Sequence, residues 1–449
     1  MPGCLNTMSK IIIDVTQLVH WSGKLTGIPR VMYELATRFA REQNEDIVFA
    51  TWVKDIQEMC EVDFAATMAQ RGNGIVYRKK GEPWPPAQQV KLSAQAAPAT
   101  AAAGKRPVTL KRVVKYGLRK AGKVAPGLAG KLEQQGKQIV LNSYHTVDFR
   151  EGDILFIPWG EWWDPNFIQR LKDWQKAGTR LAPVIHDIGP MVAPQFSGHS
   201  TDSLAEYTRN IVPIAELTIV VSKNTKKDLT AWLATQHLEA PRIEVFRLGE
   251  DFEFSSKPKK PVDPLFVSSG LKGNDFIMCM GTVELKKNQT LLYYVYKLAR
   301  ARGIQLPKLL IVGRRGWKMD VTLDMIAEDP EVSQDILGLH DISDEELMWL
   351  YDNCKFTVLP SFYEGWGIPV AESLAHGVPC ICSNTSSMTE IAPGLTDHFS
   401  PYSTDECLAA IQRLLDPKEY KAAQARVKKY KQTSWDDSYK QVKMYLETL

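Results

Sequence analysis

The sequence predicts an α/β protein made of two Rossmann-like, doubly wound domains facing a central cleft. Three observations carry that prediction. Short β-prone runs alternate with amphipathic helical stretches along both halves, the pattern of parallel sheets with crossover helices. The succession strand, glycine loop, helix occurs near the N-terminus and again in the C-terminal half. A chain of 449 residues exceeds what one hydrophobic core usually organises, while two units of roughly 200 residues each fit the usual domain size. Hydrophobic content of 44% and charged content of 24% are those of a soluble globular chain.

The first domain is expected over residues 1–252. Residues 10–14 form a β-branched run that gives way to a loop, Trp21-Ser-Gly-Lys-Leu-Thr-Gly27, and a helix from about Ile28 to Arg41. That helix spaces Val31, Leu35 and Phe39 on one face. Residues 154–158, 180–185 and 217–221 read as buried parallel strands, with helical runs at 165–176 and 203–214 between them. His186 and Asp187 follow the second of these strands, and open α/β sheets bind ligands at the carboxyl ends of strands.

An insertion occupies about residues 83–138. It opens with Pro- and Ala-rich text compatible with a flexible segment and then turns basic. Residues 105–137 hold ten Lys or Arg and a single acid, Glu133, in a chain whose net charge is +3. On a helix, Leu110, Val113, Val114 and Leu118 would share one side, with cations mostly on the others. An anionic membrane surface suits this pattern, at about 1 kcal/mol per cation near the lipid. Tyr116 is the one aromatic residue here, so stacking on bases is poorly served and no nucleic-acid partner is expected. A solvated hairpin covering the acceptor side is the structural alternative.

Pro258, Pro261 and Pro264 and three lysines interrupt residues 253–274, the expected linker. The second domain is expected over 275–434. Within it, residues 309–313 read as a buried strand followed by Arg314 and Arg315, and Ser343 with Glu346 forms a capping-box pattern. Residues 355–359 read as a strand and 369–375 as a helix, with Pro369 near its start and Gly377 past its end. Amides of Gly365, Trp366, Gly367 and Ile368 would converge at that helix start, where unpaired N–H groups and the dipole favour an anion. Glu364 lies in the loop before it and Glu372 about one turn inside, so both carboxylates can flank one ligand. Lys286 and Lys287 precede an amphipathic helix and suit anion capture. Residues 435–449 form a last helix.

The text from Ser361 to Glu390 resembles the nucleotide-binding signature of glycosyltransferase family 4. Residues 280–292, Met-Gly-Thr-Val-Glu-Leu-Lys-Lys-Asn-Gln-Thr-Leu-Leu, resemble the first strand and loop of that family's donor-binding domain. The resemblance implies a GT-B fold and a retaining transferase that takes a sugar from a nucleotide donor. It implies that Lys286 and Lys287 contact the donor diphosphate, that Gly27 and Arg30 approach it from the acceptor-side domain, and that His186 touches the transferred sugar with Asp187 as its orienting partner. Some relatives carry arginine where this chain has Thr282, which stays among the donor-binding candidates. His186, Glu364 and Lys287 are the catalytic candidates. The last helix is expected to cross back onto the first domain.

No Asp-x-Asp pair is present, so turnover without metal is expected and no cofactor is called for. The motifs look most like bacterial mannosyltransferases of O-antigen, capsule or exopolysaccharide synthesis. GDP-mannose is therefore the expected donor and a glycan or polyprenyl-linked glycan the acceptor. UDP-glucose or UDP-N-acetylhexosamine transfer, a sugar-nucleotide epimerase and a catalytically silent glycan-binding scaffold stay open. Seven scattered cysteines without metal-ligand spacing fit a reducing cytosol, and Cys380 and Cys382 fit core packing on a strand. Residues 211–221, the longest apolar candidate, fall far short of about 20 and include Glu216. The expected location is cytoplasmic, with a peripheral place at the inner membrane face left open.

Overall fold

A seven-stranded and a six-stranded sheet organise the computed structural model, which describes residues 9–23, 25–71, 74–78, 144–197, 201–251, 273, 275–316 and 320–449. The basic insertion at 83–138 and, apart from Gly273, the linker at 253–274 lie outside the described residues.

The first sheet contains β1 (Ile11–Asp14), β2 (Ile47–Val53), β3 (Glu58–Glu61), β4 (Ile154–Ile157), β5 (Arg180–Ile185), β6 (Thr218–Val220) and β7 (Ile243–Val245), in the order β3-β2-β1-β4-β5-β6-β7. Its pairs are parallel except β2 with β3. The second contains β8 (Phe276–Met280), β9 (Lys308–Val312), β10 (Ile336–Leu339), β11 (Thr357–Leu359), β12 (Cys380–Ser383) and β13 (Asp397–Phe399), in the order β10-β9-β8-β11-β12-β13. It is parallel throughout. Helices cover both faces, which is why β1 (Ile-Ile-Ile-Asp) and β4 (Ile-Leu-Phe-Ile) read as continuous apolar runs.

Strand order reverses between β1 and β4 in one sheet and between β8 and β11 in the other. Such a reversal opens a crevice at the carboxyl ends of the strands. Five strands are absent from the sequence reading. β3, β7, β10 and β13 are three or four residues long, and three of them carry acids, so their place in a sheet rather than their composition makes them strands. β2, Ile-Val-Phe-Ala-Thr-Trp-Val, is β-prone in its own composition.

One apolar cluster joins the two domains. Val31, Leu35 and Phe39 of the helix Ile28–Arg41 belong to it together with Val370 and Leu374 of the helix Ile368–Ala375 and Trp435, Val442 and Leu446 of the last helix, Trp435–Glu447. The last helix packs on Ile28–Arg41: Phe39 and Tyr439 meet edge to face at 4.9 Å, and Arg38 Nε donates to Asp436 Oδ1 at 2.6 Å. Trp435 is fully buried, a side chain whose removal from water contributes about 2–3 kcal/mol. Among the described residues no helix is long and apolar enough to cross a membrane.

Candidate active site

A cavity of about 760 Å³ opens between the two domains, at the crevices where both strand orders reverse. Every catalytic and donor-binding candidate named above lines it: Gly27, Arg30 and His186 on the N-terminal side, and Thr282, Lys286, Lys287, Glu364, Gly365, Trp366, Gly367, Ile368 and Glu372 on the C-terminal side.

Glu364 is buried at the tip of the loop that follows β11. Lys287 Nζ donates to its Oε1 at 2.6 Å and to its Oε2 at 2.8 Å, and Ser361 Oγ donates to Oε1 at 2.7 Å. Ser386 and Ser387 hold the loop from behind. The Glu364 amide donates to Ser386 Oγ at 2.9 Å, and Ser387 Oγ bonds the carbonyls of Glu364 (3.0 Å) and Trp366 (2.8 Å). The carboxylate is thus paired and aimed before any ligand arrives.

Two glycines shape this loop for different reasons. Gly365 lies against the opposite domain, where a Cβ would stand 2.2 Å from the His186 carbonyl oxygen, so any side chain would push the domains apart. Gly367 caps the helix Ile368–Ala375 at φ 98°, a left-handed conformation that other residues adopt at a cost. The amides of Gly365, Trp366, Gly367 and Ile368 make no hydrogen bond among the described residues. They point to an anion seat at a helix start.

Lys286 reaches across the cleft to Asp187, Nζ to Oδ2 at 3.3 Å. This corrects the expectation that Asp187 orients His186. Asp187 accepts from Lys286 and, through Oδ1, from the Gly189 amide at 3.0 Å, and no hydrogen bond joins it to the imidazole. Burial raises the Asp187 pKa, but Lys286, the Gly189 amide and the neighbouring imidazole outweigh it and hold the carboxyl below its usual range. Asp187 chiefly raises the Lys286 ammonium in turn. His186 uses Nε2 on the Pro158 carbonyl at 2.8 Å. A carbonyl only accepts, and burial lowers the imidazole's pKa, so the neutral ring carries its proton on Nε2 and keeps Nδ1 as a lone-pair nitrogen.

Arg30 spans the cleft on the other flank. Its Nη1 lies 3.4 Å from Glu372 Oε1, its Nη2 donates to the Asp251 carbonyl at 2.9 Å, and its guanidinium sits 5.8 Å from the Trp435 ring centroid. Tyr351 donates to Glu372 Oε2 at 3.0 Å. Burial pushes the Glu372 carboxyl above its ordinary value, with Arg30 and Tyr351 opposing it.

The cavity also holds residues that the sequence reading did not place in the site. Arg314 and Arg315 follow β9, where backbone bonds between Val283 and the residues 314–316 bring their loop beside Thr282. Trp21, Tyr33 and Trp159 line the N-terminal wall, with the Trp21 and Trp159 rings 6.4 Å apart. A signal for Trp159 is present in the sequence: the run Trp-Gly-Glu-Trp-Trp at 159–163 stands just past a buried strand, too aromatic for an ordinary loop. The site therefore has a charged C-terminal wall, in which cations and acids stand beside an anion seat, and an N-terminal wall that carries Trp21, Tyr33 and Trp159.

Residues 263–433 match the family described as glycosyl transferases group 1, so the C-terminal part of the chain is a domain of that kind. The chain is similar to O-antigen chain mannosyltransferase B of Escherichia coli, 28% identical over 265 residues that cover 58% of this chain and 68% of that one. It is also similar to the serotype-specific mannosyltransferase WbdA of Escherichia coli, at 26% over 266 residues, but spans only 32% of that protein's length. Among solved structures, sucrose-phosphate synthase from Thermosynechococcus elongatus superposes with a TM-score of 0.60 at 16% identity, over 98% of this chain and 99% of that one. Anabaena HepE in complex with UDP-glucose gives 0.59 at 15%, over 98% and 100%. These structures share the GT-B fold seen here, two parallel-sheet α/β domains.

Proposed function

With a glycosyl transferases group 1 domain forming its C-terminal wall, we propose that this chain transfers mannose from GDP-mannose, with retention and without a metal ion, to a glycan or polyprenyl-linked glycan during surface polysaccharide synthesis. The observation that carries the reading is the pairing of Lys287 with buried Glu364 beside four unpaired amides at a helix start. The amides and the two lysines stand where negative charge grows on a departing diphosphate, and fixed donors in a shielded site stabilise such charge strongly. Glu364, held by Lys287 and Ser361, is placed to fix hydroxyls of the transferred sugar. Glu372 and Arg30 face the nucleotide end.

In the proposed step the acceptor oxygen bonds to the anomeric carbon as the bond from that carbon to the phosphate oxygen breaks. The acceptor's proton passes to the leaving phosphate on the same face, which yields retention. The lone-pair nitrogen of His186 accepts a hydroxyl of the sugar during this passage. The half-buried aromatic wall of Trp21, Tyr33 and Trp159 offers flat apolar surface to the C–H faces of an acceptor sugar. The names of the mannosyltransferase relatives support the choice of sugar. We assign the chain to the cytoplasmic side, with residues 105–137 resting on anionic lipid.

The test is incubation with GDP-mannose and a mannoside acceptor in chelator, with NMR of the product. A new α-linkage formed in chelator is the expected result. Absence of any product, a β-linkage, or activity that returns only with magnesium would each overturn a stated part of the proposal.

A further inference from the structure

We propose that Glu390 is a positioning residue that makes the placement of the Glu364 loop conditional on domain closure. The inference rests on the transfer reaction proposed above and extends it to a residue outside the cavity.

Glu390 sits on the short helix Met388–Ile391 of the C-terminal domain. Its carboxylate leaves that domain and accepts from the Lys223 amide at 3.1 Å and the Asn224 amide at 3.0 Å. These are the first two N–H groups of the N-terminal domain's helix Lys223–Thr235, and such groups have no partner within their own helix. The helix's own cap, Ser222, serves the third, the Thr225 amide, at 2.9 Å. Two of the three amides are thus capped from across the cleft, by a full negative charge at the positive end of the helix dipole.

The same helix touches the catalytic loop directly. Thr225 Oγ1 donates to the Gly365 carbonyl at 3.4 Å, and Tyr363 donates to Asp228 Oδ2 at 2.8 Å. On the other side, the Glu390 amide donates to the Ser387 carbonyl at 3.0 Å, and the hydroxyls of Ser386 and Ser387 hold the backbone of Glu364 and Trp366. A continuous set of hydrogen bonds therefore runs from the helix start through Glu390 and Ser387 to the loop that carries Glu364, with Ser386 bracing that loop beside it. Separating the domains breaks its first link. The loop then loses its brace from the N-terminal domain, while Lys286, Lys287 and the helix Ile368–Ala375 of the C-terminal domain keep their place.

Lys223→Pro isolates the link. Proline at the first helical position is well tolerated, and Ser222 before it is already extended at φ −156°, ψ 158°, so the helix survives while one donor disappears. Lys223→Ala controls for loss of the side chain, and Glu390→Ala removes the acceptor. The full chain and each variant are assayed for mannose transfer from GDP-mannose to methyl α-mannoside and for GDP affinity by calorimetry. The expected result is a fall in kcat of about tenfold for Lys223→Pro and for Glu390→Ala, with GDP affinity within about twofold and Lys223→Ala at wild-type level. Combining Lys223→Pro with Glu390→Ala should cost little beyond either change alone. Additive losses, an equal loss in Lys223→Ala, unchanged kcat, or a loss confined to GDP affinity would overturn the role. If the wild-type chain transfers no sugar, the transfer reading fails, and the latch is judged by small-angle scattering alone. A larger radius of gyration in Lys223→Pro and Glu390→Ala than in Lys223→Ala supports it, and equal radii overturn it.

Discussion

The two walls of the cleft are built from the same fold and present different side chains to it. The C-terminal wall is charged and tightly held: Glu364 has two partners for its carboxylate, its loop is tied from behind by two serines, and four amides stand at a helix start. The N-terminal wall offers Trp21, Tyr33 and Trp159, half-buried rings that present flat surface to the cavity. Under the proposed function, the donor diphosphate would be met by fixed donors at set distances and the acceptor sugar mainly by shape.

If the C-terminal wall does the chemistry, its removal must cost most. Glu364→Ala should lower kcat by about 10³-fold while GDP affinity stays within about threefold, read by steady-state kinetics and calorimetry. Loss of GDP affinity in step with kcat would mean that the carboxylate holds the nucleotide. The next largest effect falls where the walls touch. Gly365→Ala places a methyl group 2.2 Å from the His186 carbonyl oxygen and should cost about 10²-fold in kcat through misplacement, with GDP still bound. A nearly active variant would show that closure is looser than drawn here.

The N-terminal wall predicts smaller, selective effects. Trp159→Ala should raise the KM for a mannoside acceptor about tenfold and leave the KM for GDP-mannose unchanged, and Trp159→Phe should recover most of the loss. Equal effects on both substrates would erase the contrast between the walls.

Below that wall, Asp14 tests its electrostatics. It is fully buried at the end of β1, its Oδ1 accepts from the Thr16 amide at 2.9 Å, and its Oδ2 has no hydrogen-bond partner among the described residues. Burial pushes its pKa from 3.8 up to about 7. The folded state therefore holds the proton more tightly than the unfolded chain. The stabilisation is complete below about pH 4 and is lost as pH rises through about 7. Asp14→Asn keeps the acceptor and removes the titration, so Tm at pH 8 should rise by on the order of a few degrees while Tm at pH 4 barely moves. A fall in Tm at pH 8 would show that the charged form is the one the fold needs.

Much of this was legible in the sequence, for identifiable reasons. The Glu364 loop is local: strand, glycines and helix start are contiguous, so their geometry follows from turn and cap chemistry within about 15 residues. The two buried runs at 154–157 and 180–185 are apolar enough to announce parallel strands. What sequence reading missed is non-local. The Asp187 to Lys286 pair joins residues 99 apart and the Arg30 to Glu372 pair joins residues 342 apart. Adjacency made His186 the natural partner for Asp187, yet the chain direction at the end of β5 gives the imidazole to Pro158 instead. Glu390 reads as one more polar residue on a short helix until the opposite domain's helix start is placed against it.

The measurement that tests the central claim most directly is a titration of the purified chain with GDP, UDP, ADP and dTDP, followed by thermal unfolding and repeated on a Lys286→Ala, Lys287→Ala double variant. GDP should stabilise selectively, by about 2.7 kcal/mol at 100 times its dissociation constant, and the double variant should lose most of this gain. Selective stabilisation by UDP would contradict the mannose donor. No response to any nucleotide, or a response that the double variant keeps in full, would contradict the assignment of the C-terminal wall to the donor diphosphate.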